Sequence, residues 1–120
     1  MKTVSAAHSK DHILIAAQLL DAAKASDTGK VNDAQTRWYA NADEIAAFLN
    51  GANHKNWPLD HIKTMMKMHL DLTLDDAVAQ LQGNYAASIA AYEKVHQEIL
   101  EMADMLSEGI IKQFPKQFQS

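Results

Sequence analysis

Nowhere does this chain alternate apolar and polar residues over the length of a strand. Helices are therefore the means left to it for burying apolar side chains. Its apolar residues instead recur at spacings of three and four. At roughly 100° per residue, Ile13, Ala16, Leu19, Leu20 and Ala23 share one face of a first helix, and Ala34, Trp38, Ile45, Phe48 and Leu49 share one face of a second. Leu59, Ile62, Met66 and Leu70 align on a third, and Tyr92, Val95, Ile99, Met102, Leu106 and Ile110 on the last.

Glycine and proline punctuate these segments. Asp27-Thr28-Gly29 and Asn50-Gly51 have the composition of helix C-caps, and Trp57-Pro58 opens a helix where proline's missing N–H does no harm. Thr73-Leu74-Asp75-Asp76 resembles a capping box that restarts a short segment, Gly83-Asn84 breaks the chain again, and Pro115 closes it. The pattern predicts helices near 4–26, 31–50, 58–71, 74–82 and 84–113. Short connections make neighbours antiparallel. The expected architecture is all-α, an antiparallel four-helix bundle with one additional short helix, in a single domain over residues 1–120.

Composition narrows the function. A net charge of −4 argues against a nucleic-acid partner, which calls for a basic face. The absence of cysteine removes disulfides, thiolate metal sites and a cysteine nucleophile, and it suits a cytoplasmic location. No apolar run approaches the roughly 18 residues of a membrane helix, so no membrane role is expected. No glycine-rich phosphate loop and no nucleophile elbow is present. Haem would lack a Cys-x-x-Cys-His attachment.

What remains is a set of polar side chains on apolar faces. His12 falls inside the first stripe with His8 one turn earlier, Asn41 sits within the second, and His69 lies at the edge of the third beside Met65. His96 lies in the apolar arc of the last helix, with Glu93 at its boundary. Singly, each has an ordinary reading as a hydrogen-bonded core residue. Asn41 is expected to satisfy a buried carbonyl or to order a histidine. Met65, Met66, Met102 and Met105 are expected to fill gaps in the core. Together the residues suggest more. Glu93-Lys94-Val95-His96 is a Glu-x-x-His, the i, i+3 arrangement of carboxylate-bridged metal bundles. A second copy and the further inward glutamates of a di-iron site are missing, with Glu44 the one other candidate carboxylate. The sharper expectation is one divalent transition metal (zinc, iron, manganese or copper) held by His12, His69, Glu93 and His96, with His8 and Glu44 as accessories and Asn41, Trp38 and Tyr92 around them.

Several strings are also familiar in combination. Asp11-His12-Ile13-Leu14-Ile15-Ala16-Ala17, Arg37-Trp38-Tyr39-Ala40-Asn41-Ala42-Asp43-Glu44-Ile45-Ala46 and Met68-His69-Leu70-Asp71-Leu72-Thr73 are three of them. Ala91-Tyr92-Glu93, Met102-Ala103-Asp104-Met105-Leu106 and Gln113-Phe114-Pro115 are the others. Over nearly its whole length the chain resembles an uncharacterised bacterial family of small helical-bundle proteins. Some members carry the name acetylglutamate kinase, for which this chain has no corresponding feature. The resemblance implies a helical bundle, with His12, Asn41, His69 and His96 on family-like positions. Its pattern usually includes a preceding helical segment with a Trp-Thr-Arg string. It implies no reaction.

Three functions follow. The first is a metal-binding bundle. The second is a non-enzymatic structural or interaction protein, a homodimer, whose histidines pair with Asn41, tyrosine hydroxyls or carbonyls. The third is an enzyme using histidine as base in a pocket lined by Trp38, Tyr92 and methionines.

Overall fold

A computed structural model describes residues 2–119, with side chains from residue 6. Four helices follow one another: α1 (Lys2–Lys24), α2 (Thr28–Ala52), α3 (Leu59–Leu81) and α4 (Tyr85–Gln113), before a 3-10 turn at Pro115–Gln117. No strand occurs among the described residues. The chain is all-α, as its periodicity requires.

The two hairpins turn by the same device. At the end of α1, Ser26 adopts φ 55°, Asp27 N–H donates to Ala22 O and Ser26 N–H to Ala23 O. Asp27 then caps α2 by accepting Lys30 N–H at 3.0 Å. At the end of α3, Gly83 adopts φ 70°, Asn84 N–H donates to Ala79 O, and the Asn84 side chain caps α4 by accepting Ala87 N–H. Each is a Schellman stop whose last residue is also the next N-cap. The expected stop at Gly29 is therefore displaced. Ser26 takes the left-handed position, and Gly29 lies in the first turn of α2. Gly51 likewise falls inside the last turn of α2, which closes at Asn53.

The expected break between residues 71 and 74 does not occur. Thr73 Oγ1 donates back to His69 O at 2.7 Å, so its hydroxyl is satisfied inside a continuous α3 and caps nothing. The additional short element is instead the 3-10 turn that Pro115 begins.

Packing is serial. α1 lies on α2, α2 on α3, and α3 on α4; α1 also touches α3, whereas α1 and α4 do not meet among the described residues. The core runs along α2 and α3 through Ala34, Trp38, Ala42, Ala46, Ile62, Met65, Met66 and Leu70, with Leu19 from α1 and Met102 from α4. α4 returns to the α2–α3 loop at its far end. Asn53 Nδ2 donates to Gly109 O at 2.9 Å, and the Trp57 indole lies so close to Gly109 that a Cβ there would stand 2.0 Å from Nε1.

α1 and α4 depart from the faces expected of them. Ile13 is 70% exposed and Leu20 39%, while Leu19 and Ala22 are buried. On α4 the residues facing α3 are Ser88, Ala91, Val95, Glu98, Met102, Met105 and Gly109, a strict heptad seam. Tyr92, Ile99 and Ile110, expected in the core, lie on the open side.

Candidate functional site

The polar side chains at the helix seams are held in pairs. His12, half-buried on α1, lies over the Trp38 indole with ring centroids 5.3 Å apart. Its Nδ1–H donates to Asn41 Oδ1 at 2.8 Å, and Asn41 Nδ2 donates to His8 O at 3.1 Å. Trp38 Nε1 donates to His12 O at 3.2 Å. Asn41 thus does both things expected of it, ordering a histidine and satisfying a carbonyl. Burial holds the His12 pKa below the ordinary value, opposed by the Asn41 bond and reinforced by His69. One turn towards the N-terminus, His8 Nδ1 stands 3.2 Å from Glu44 Oε2, with Glu44 largely exposed.

On the α3–α4 seam, His69 Nδ1–H donates to Glu98 Oε2 at 2.8 Å. Glu98 is 3% exposed, and its Oε1 has no partner among the described residues. A glutamate thus occupies a seam position where the heptad wants an apolar residue, and among the described residues His69 is its one hydrogen-bond partner. Beside the α2–α3 seam, the Tyr39 hydroxyl donates to Asp71 Oδ1, and Lys67 Nζ donates to Asp71 Oδ2 at 2.6 Å. Burial, then the Asp71 bond, raises the Tyr39 pKa well above the ordinary phenol value. Lys67 and Tyr39 together depress that of Asp71.

Among the described residues, the four side chains expected to ligate a metal are not gathered into one group. His12 and His69 are inward, each committed through Nδ1 to its own partner. Glu93 and His96 are exposed on α4, where His96 stacks on exposed Tyr92 with ring centroids 6.4 Å apart. The carboxylate that faces His69 is Glu98, not Glu93. Among the described residues, no group of three or more histidine, aspartate or glutamate side chains is placed to hold a metal ion. Tyr92 is exposed on α4 and is absent from the lining of the apolar cleft beside Trp38, which is formed with Ala16, Leu19, Leu20, Thr73, Leu74 and Ala77 and encloses about 60 Å³. Small-molecule sites run to roughly 300–1,000 Å³.

Two residues that matter here gave little sequence signal. Glu98 reads as a solvated charge unless the seam is phased on Val95 and Met102. Asn53 reads as loop, yet it is buried and holds α4 through Gly109 O.

No known family model, curated protein or solved structure matches this chain. No helix among the described residues is long and apolar enough to cross a membrane.

Proposed function

We propose that this chain is a non-enzymatic interaction protein, a helical scaffold that works through a surface and not through a pocket. One observation carries the reading. α4 bears a second heptad stripe, Tyr85, Ile89, Tyr92, His96, Ile99, Ala103, Leu106 and Ile110, each member one residue after a member of the seam or its continuation. A one-residue shift turns the stripe about 100° from α3. It bears no Lys, Arg, Asp or Glu, it runs about 38 Å, and it is most open at Tyr85, Ile89 and Tyr92, with Ile99, Leu106 and Ile110 partly covered in the single chain. An uncharged apolar stripe of that length marks a surface that another polypeptide covers. The seam pairs His12–Asn41 and His69–Glu98 then act structurally. Each fixes one helix against its neighbour, because sliding either helix would strand a buried donor or acceptor.

Metal binding is the second reading, and a specific feature favours it. Both inward imidazoles have Nδ1 pinned by a hydrogen-bond partner, as ligating histidines do, and Glu98 Oε1 is unengaged. Calorimetric titration of the untagged, chelator-treated protein with zinc, manganese, iron(II) and copper(II) separates the two. The interaction reading expects no stoichiometric uptake. One equivalent bound per chain, and lost in both His12→Ala and His69→Ala, would overturn it in favour of a metal centre.

A further inference from the structure

If α4 carries an interaction surface, as proposed above, its partner is identified by area and by symmetry. The chain exposes 8003 Å², whereas a folded monomer of its mass exposes about 6,500 Å². Its Cα radius of gyration is 16.3 Å, against about 14 Å for a compact domain of this length. The excess of about 1,500 Å² lies on a molecule whose α1 and α4 do not close on each other. A standard interface takes about 800 Å² from each partner, and obligate homodimers bury about 2,000–5,000 Å² in total. Half of that excess, about 750 Å² from each copy, would supply a standard interface.

The stripe is also complementary to itself. Set antiparallel about its midpoint, it brings Tyr85 to Ile110, Ile89 to Leu106, Tyr92 to Ala103 and His96 to Ile99 of a second copy. The largest ring meets the smallest side chain, and no charge is buried, as an isologous two-fold contact requires. Laid parallel in register, the same stripe would set Tyr92 on Tyr92 and leave a gap at Ala103. We infer that two copies of this chain associate through an antiparallel α4–α4 seam built on this stripe.

The experiment is the solution mass of the untagged protein by light scattering across a dilution series, with circular dichroism and the fluorescence of anilinonaphthalene sulfonate. The expected result is a dimer. Ile89→Glu and Ile99→Glu each make it monomeric, weakening association about a hundred-fold or more because a carboxylate would be buried unpaired. Helicity is unchanged, since both residues are solvent-exposed in the single chain. Met68→Glu, an exposed apolar position away from the stripe, leaves the dimer intact. A dimer that survives Ile89→Glu and Ile99→Glu but is broken by Ile13→Glu would put the contact on α1 and overturn the proposal. A monomer that binds the dye, and loses it in Ile99→Glu, would overturn self-association and leave the interaction reading standing. A monomer that does not bind the dye would overturn both.

Discussion

His12 is the residue at which burial and protonation compete. Its imidazole is half-buried against Trp38, gives its Nδ1–H to Asn41 and has His69 near enough to oppose a positive charge. Burial is the largest of these influences and lowers the folded-state pKa below the unfolded value. In the window between the two, the unfolded chain therefore binds more protons than the folded one. The stabilisation is fully present above the unfolded value near 6.5 and is lost as pH falls through the folded-state value. Denaturant unfolding from pH 7.5 down to pH 5.5 should show falling stability. His12→Gln, which keeps a side-chain donor for Asn41 without a titrating ring, should flatten that slope. An unchanged slope in the variant would assign the pH dependence elsewhere. Asn41 was legible in the sequence because a lone amide within an apolar helical stripe has few other uses. Glu98 was not, since a glutamate buried with one oxygen unpaired violates the rule by which charges are assigned to solvent.

Helix limits follow closely from caps and breakers, and the discrepancies have local causes: Ser26 in a left-handed position that composition gives to glycine, and Thr73 bonded back to its own helix. Facing was harder to read. α4 carries two heptad stripes one residue apart, and hydropathy favours the wrong one, because the stripe against α3 contains Ser88, Glu98 and Gly109. Gly109 is there for Trp57. A methyl group at residue 109 would lie 2.0 Å from Nε1 and 2.7 Å from Cδ1 of an indole held in the core. Gly109→Ala should therefore destabilise by up to about 2 kcal/mol, an overpacking cost of roughly 1–3 kcal/mol offset by about 1 kcal/mol of helix propensity. Gly51→Ala, in the last turn of α2 with nothing within 4 Å of the new methyl, should stabilise by about 0.5–1 kcal/mol. Denaturant midpoints moving in opposite directions would bear out both placements. Two shifts of the same sign would mean that Trp57 does not rest on α4.

At the scale of the whole molecule, stability is unevenly distributed because burial is. The most deeply buried side chains, Ala34, Ala46, Ile62 and Leu70, each at or below 2% exposure, all lie on α2 and α3. Among its described side chains α1 contributes only Leu19 and Ala22 to the buried set; it lies mainly on α2 and is fastened at its middle by His12, Asn41 and Trp38. α4 has a longer seam and a second anchorage at Asn53 and Trp57, so detaching it strands more polar groups than detaching α1. Local opening follows the smallest loss of buried contact, and its free energy lies below that of global unfolding. Native-state hydrogen exchange should accordingly find the slowest amides in residues 34–46 and 62–70. α1 should exchange through a sub-global opening less costly than global unfolding, and its rate should not depend on protein concentration. If two copies pair through α4 as inferred above, α4 should be protected to an extent that rises with concentration, because the pairing would add contacts that the single chain lacks. Uniform protection across all four helices would show instead that the bundle opens only as one unit, and that the open edge along α1 costs it no cooperativity.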